Sequence, residues 1–244
     1  DIIINNASGT SITMAKGTVF TTSVDGTSYQ YITNSDFTTT PVAGVYKFSS
    51  VPILEGTLVQ FKYTFDSTDS DQKFILPSNK VDTSTLQVRV QNSSDDTSIE
   101  TYALAGGYNN VTTNTKVYFL QEGRDGRYEI YFGDGTNGKS LEDGNIIILD
   151  YIVTNKGISN GASSFQLQGT IGGFSDVTIS TVSASQGGVA GETNDSIKLN
   201  APLQYAAQDR AVTTTDYESL VKSIYPNALS VSAWGGEDDE TPRY

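Results

Sequence analysis

Cysteine and histidine are both absent from the 244 residues. Without cysteine there is no disulfide, no thiolate metal site and no thiol nucleophile. Without histidine there is no Ser-His-Asp triad, no His-ligated zinc and no side chain ordinarily poised as a general base near neutral pH. Any catalysis would fall to carboxylates, lysine or tyrosine. Positive charge is scarce too: 15 Lys and Arg stand against 28 Asp and Glu, a formal net charge of −13. A field of that sign repels phosphate backbones and argues against a nucleic-acid partner. No apolar run approaches the roughly 20 residues of a membrane-spanning helix, and no signal-peptide pattern is visible. Neither a membrane nor a small-molecule substrate is expected as a partner, and no cofactor or metal.

The hydrophobic fraction, 36%, is lowish, yet 14 Tyr and 10 Phe accompany abundant Thr, Val and Ile. That mixture suits sheets with one buried face and is too aromatic for disorder. Residues 1–4 open on three consecutive isoleucines. Residues 12–22 and 29–32, parted by Asp25-Gly26, predict a hairpin. In 58–65, Val59, Phe61, Tyr63 and Phe65 share one face and Gln60, Lys62 and Thr64 the other, with a Glu55-Gly56 turn before them. Leu86, Val88 and Val90 alternate with Gln87, Arg89 and Gln91 in the same way. Residues 66–72 (DSTDSDQ) superficially resemble a calcium loop but lack its central Gly and closing Glu, so a solvated loop is expected. Gly106-Gly107-Tyr108-Asn109-Asn110 reads as a loop between strands at 99–104 and 116–120.

The densest signal is residues 119–151, FLQEGRDGRYEIYFGDGTNGKSLEDGNIIILDY, which read as a β-meander of three strands. Arg124-Asp125-Gly126-Arg127 makes the first connection and residues 133–139 the second. Gly133, Asp134, Gly135 and Gly138 are the expected turn formers, because glycine reaches φ > 0 without penalty and Asp tolerates it. Gly133, Gly135 and Gly138 also satisfy a G-x-G-x-x-G string, but a strand rather than a helix follows, so dinucleotide binding is rejected. Asp134, Glu142 and Asp143 could be imagined as paired carboxylates for glycoside hydrolysis, although turns collect Asp for conformational reasons alone.

After Gly191 the character changes. Residues 192–207 hold helix formers, with Pro202 limiting how far one helix runs. Thr215 and Glu218 have capping-box spacing. Tyr217, Leu220, Val221 and Ile224 then fall on one face, expected to meet the core, before Pro226 stops the helix. Residues 228–233 read as a strand. Arg210, Asp216 and Tyr217 could form a polar fold clamp or an interface, and Trp234 either anchors a partner or covers the core. The fold class expected is mainly β with a smaller α+β part: antiparallel β-meander domains plus a C-terminal helical segment. The expected divisions are 1–80 (β-rich, its start shared with an upstream domain), 81–190 (the meander with the FGDG turn) and 191–244 (helix-containing).

Three motifs in fixed order resemble the baseplate J-like family of contractile phage tails: residues 117–138 (VYFLQEGRDGRYEIYFGDGTNG), 192–202 (ETNDSIKLNAP) and 208–220 (QDRAVTTTDYESL). Tyr225-Pro226 and Trp234-Gly235-Gly236-Glu237-Asp238 follow them. The first half, including PVAGVYKFSSVPILEG, is similar to the β-rich portion preceding these motifs in wedge proteins of T-even-type phages. The resemblance implies a non-enzymatic virion protein of the tail baseplate, assembled in the host cytoplasm. Such a protein dimerises, joins other wedge proteins in a ring or iris around the hub, and rearranges at the switch before sheath contraction. It also implies a piece of a longer chain, with Asp1 in place of an initiator Met and an acidic run but no closing element at the end. The alternative expectation is a carbohydrate-binding β-module of a virion or secreted protein.

Overall fold

The computed structural model describes residues 1–106, 111–123, 125–225 and 228–236. Residues 107–110 of the loop expected at 106–110, Arg124, Pro226 and the acidic run from Glu237 onward lie outside them. The chain forms two compact units, Asp1–Gly187 and Gly188–Tyr244. Among the described residues the fold is mainly β, with two α-helices toward the C-terminus.

The first unit begins with β1 (Ile2–Ile4), β2 (Ile12–Met14), β3 (Val19–Val24), β4 (Thr27–Ile32), β5 (Phe37–Thr39), β6 (Tyr46–Phe48) and β7 (Leu54–Glu55). β3 and β4 are the expected hairpin, Val19 opposite Ile32 through Val24 opposite Thr27. Asp25 and Gly26 both take positive φ, 50° and 79°, which matches the right-handed strand twist. A seven-stranded lobe follows: β8 (Thr57–Thr64), β9 (Phe74–Ile75), β10 (Val81–Gln91), β11 (Ile99–Leu104), β12 (Val117–Glu122), β13 (Tyr128–Phe132) and β14 (Ile146–Val153), ordered β8-β14-β10-β11-β12-β13-β9. The chain then returns to the first lobe. β15 (Gln166–Gln168) joins β3, and β16 (Val177–Ile179) pairs antiparallel with β1, Ile2 opposite Ile179.

Each lobe has its own core. Ile2, Ile4, Ile12, Met14, Phe20, Tyr31, Tyr46, Phe48, Ala162 and Ile171 cluster in the first. Val88, Val90, Tyr102, Tyr118, Ile130, Ile147, Leu149 and Tyr151 cluster in the second. In β8 the alternation holds: Val59, Phe61, Tyr63 and Phe65 pack against the second core, while Gln60, Lys62 and Thr64 are exposed.

The meander expected over 119–151 is realised only in its first half. β12 and β13 pair antiparallel from Tyr118–Phe132 to Glu122–Tyr128, but β14 lies between β8 and β10. The reason is visible in its composition. A strand reading IIILDYIV is apolar on both faces, and six consecutive residues, Ile147 to Ile152, are buried; such a strand suits the interior of a sheet covered on both faces rather than its edge. A further departure is the pairing of β11 with β12, which is parallel (Ala103 opposite Val117). β10 is bulged between Asp82 and Gln87. There the Thr85 hydroxyl accepts from the Ile152 N–H at 3.0 Å, supplying an acceptor beside the interrupted ladder.

In the second unit α1 (Asn194–Ala207) runs through Pro202 rather than ending there. The proline is exposed, so solvent can meet the Lys198 carbonyl that its ring leaves without a donor. α2 (Thr214–Ile224) packs on α1. The strand expected at 228–233 does not form.

Leu149 is fully buried on β14 of the larger sheet, whereas Leu104 at the end of β11 is 55% exposed. Leu149→Ala should cost about 2–5 kcal/mol and Leu104→Ala no more than about 0.5 kcal/mol, measured by urea unfolding of the two variants and the parent.

Candidate functional site: the FGDG turn and the helical cap

The turn after β13 is built by backbone proximity. The Gly135 N–H donates to the Gly138 carbonyl at 3.0 Å, and Gly138 donates to Thr112 O at 3.2 Å. Gly135 and Gly138 have φ of 84° and 99°. Gly133 has a different reason to be glycine: a Cβ there would lie 2.3 Å from the Gly138 carbonyl carbon. The two chain segments cross where only a hydrogen fits. Lys139 completes the attachment. Its N–H donates to Thr115 O at 2.8 Å, and its ammonium donates to Glu100 Oε2 at 2.7 Å. Glu100 also pairs with Lys116 at 2.9 Å, so one carboxylate of β11 gathers a lysine just before β12 and another just after the Gly-rich turn.

Asp134 takes the part of a turn former. Its Oδ1 accepts from the N–H groups of Thr136 and Asn137, both at 2.8 Å. These bonds, Asn137's first, hold its carboxyl below the usual Asp range. That is the opposite direction from the raised pKa a general acid requires. The calcium-like loop is likewise occupied with itself: Asp66 accepts from the Thr68 N–H and hydroxyl, and Asp69 from the Asp71 N–H. Among the described residues no group of three or more acidic side chains is arranged to hold a metal.

The second site lies at the start of α2. The capping box is formed by Thr213 and Asp216, two residues earlier than the Thr215–Glu218 spacing suggested. Asp216 Oδ2 accepts from the N–H groups of Thr213 at 2.8 Å and Val212 at 3.2 Å. Those bonds, with Arg210 as a weaker cause, lower its pKa. Arg210 donates to Gln208 Oε1 at 2.9 Å and reaches Asp216 only through its longer-range field. Glu218 has a separate task, accepting from the Ala233 N–H at 3.0 Å and so tying the last described segment to α2. Sequence spacing could not reveal that bond, which depends on the fold-back after Tyr225.

The face expected to meet the core stays largely open. Tyr217 and Val221 are about half exposed and Ile224 is 81% exposed, while Ser219 is buried. Trp234 is two-thirds exposed. By contrast, many aromatics of the β lobe are consumed in packing: Phe61, Tyr63, Phe74, Phe132 and Tyr102 form a chain of edge-to-face contacts with centroids 5.0–5.7 Å apart.

These observations define a mainly β protein with a small helical unit, whose conspicuous carboxylates cap turns and a helix. The family model described as baseplate structural protein gp6, C-terminal domain I, matches residues 213–244, beginning at the Thr213 cap. Baseplate wedge protein gp6 of Enterobacteria phage T4 is 24% identical over 139 residues, covering 48% of this chain and 21% of that protein. The chain thus matches about a fifth of that relative's length. Both findings liken the chain to gp6 baseplate proteins, in line with the baseplate resemblance of its motifs.

Gly135→Val should destabilise the first unit by about 1–3 kcal/mol, since a β-branched residue resists positive φ. Gly133→Ala should cost at least as much, because the Gly138 backbone must move; denaturant midpoints of the two variants check the ranking. Thr213→Ala should cost about 1 kcal/mol of helix stability and Thr215→Ala far less, read from thermal loss of helical circular dichroism.

Proposed function

We propose that this chain is a structural component of a contractile-tail baseplate wedge. The observation that carries the reading is the gp6 domain match that starts at the α2 cap, supported by the likeness to the T4 wedge protein. In this reading the protein works without catalysis, in the virion tail baseplate, after assembly in the host cytoplasm. It dimerises and joins other wedge proteins in a ring around the hub, and it changes contacts during the switch before sheath contraction. Asp134 and Asp216 then serve rigidity, and the fold motif of Gly133, Asp134, Gly135 and Gly138 holds the larger lobe in shape.

The exposed apolar residues of the helical unit support an assembly role. Tyr205, Val212 and Ile224 are each about four-fifths exposed, more apolar surface than so small a unit would leave to water without a use for it. Arg210, Tyr217 and Trp234 lie in the same unit and are our interface candidates. A ring subunit needs at least two distinct contact surfaces, one of them self-complementary if dimers form.

Mixed with purified baseplate wedge proteins, the chain should sediment as a larger complex, and alone at high concentration it should show dimer by light scattering. Ile224→Asp should weaken association while leaving the unfolding midpoint of the β unit unchanged. A chain that remains monomeric and joins no wedge protein would retire this reading.

A further inference from the structure

The chain passes between the two lobes of the first unit twice, at Gly56 and again after Val153. Glu55 ends β7, opposite Tyr31 in the first lobe, and Thr57 begins β8, opposite Val153 in the second. Gly56 between them has φ 129°, and its N–H donates to Gln30 O of the first lobe at 2.9 Å. A Cβ on Gly56 would sit 2.4 Å from Val153 O and 2.6 Å from Ile152 Cγ2 of the second lobe. The chain crosses back just beside it, from Val153 at the end of β14 to the short 3-10 turn Lys156–Ser159. That turn is held in the first lobe by Tyr31, whose hydroxyl donates to Ser159 O at 3.0 Å.

One carboxylate clips the two crossings together. Glu55 Oε2 accepts from the Asn155 N–H and Oε1 from Asn155 Nδ2, each at 2.8 Å. The pair acts as one more rung beyond the last ladder position of β8 and β14. The lobes' hydrophobic clusters share no residue. Lys16 Nζ of the first lobe reaches Gln87 Oε1 of the second at 2.8 Å, another polar contact. β4 of the first lobe also runs close to β8 of the second, with Leu58 beside Gly17, so the lobes touch along a narrow seam, and two bodies on such a seam turn relative to each other unless something fixes the joint.

We propose that the Glu55–Asn155 clasp is a latch that sets the angle between the two lobes, with Gly56 as the pivot. The inference is independent of the baseplate reading. With the latch closed, the lobes move as one body; with the carboxylate removed, the pivot is free and each lobe keeps its own core.

The chain has no cysteine, so spin labels can be placed cleanly at Thr40→Cys in the first lobe and Asp95→Cys in the second, both exposed. In the full 244-residue chain the parent should give one narrow inter-label distance distribution. Glu55→Ala should shift its mean or broaden it roughly twofold, as expected for a released hinge. Glu55→Gln, which keeps only one strong acceptor, should fall between. Asn155→Ala, which removes the side-chain half from the opposite crossing, should move the distribution in the same direction. Thermal unfolding of each variant confirms that both lobes are folded, and should Glu55→Ala fail to fold, Asn155→Ala decides. A parent-like distribution in a folded Glu55→Ala or Asn155→Ala chain overturns the latch.

Discussion

The larger lobe depends on burying both faces of the strand Ile146–Val153. Ile147, Leu149 and Tyr151 point into the core, while Ile148, Asp150 and Ile152 on the other face are buried as well. A carboxylate in that setting is costly unless its oxygens are engaged. Asp150 is paired with Arg89 from β10, and its other oxygen accepts from Gln60 Nε2 of β8 at 2.8 Å. The one polar residue in an apolar run therefore addresses both flanking strands at once, which helps fix their register. The bulge at Thr85 and the remaining strand order are arranged around that central pairing.

How much of this was legible in the sequence varies by element. Hairpins with a local cause were readable: Asp25-Gly26 carries its own φ preference, and Val59, Phe61, Tyr63 and Phe65 carry the period of a half-buried strand. The fold class followed from such pieces. What the residues could not show is which strand lies beside which. Nothing local in Ile2–Ile4 points to Val177–Ile179, and nothing in Ala103 foretells a parallel partner. The run IIILDYIV did hold a clue, since burial on both faces marks a central strand, but tight Gly-rich connections on the N-terminal side suggested a meander. Cap chemistry misled in a similar way: Thr213-x-x-Asp216 and Thr215-x-x-Glu218 have the same spacing, and only the structure shows which threonine stands outside the helix.

The candidate sites carry a related lesson. Gly133, Asp134, Gly135 and Gly138 are where the sequence drew attention, and they are together in space. Their chemistry is nevertheless spent on the chain itself: carboxylate to turn N–H, glycine against glycine, lysine to Glu100. The same holds for Asp216 on the helix. Arg210, Tyr217 and Trp234, by contrast, lie on exposed parts of the small unit.

The pairing of β1 with β16 has a consequence for the order of events during synthesis. The larger sheet is complete once Val153 has been made, with partners for all seven strands already in hand. The first lobe is not: its opening strand must wait for residues 177–179, some 170 positions later in the chain. A ribosome emitting this protein therefore releases a finished larger lobe while the first one still lacks an edge of its sheet. Until Ile179 emerges, the apolar strand Ile2–Ile4 lacks its β16 partner, an interval in which the nascent chain is open to mispairing.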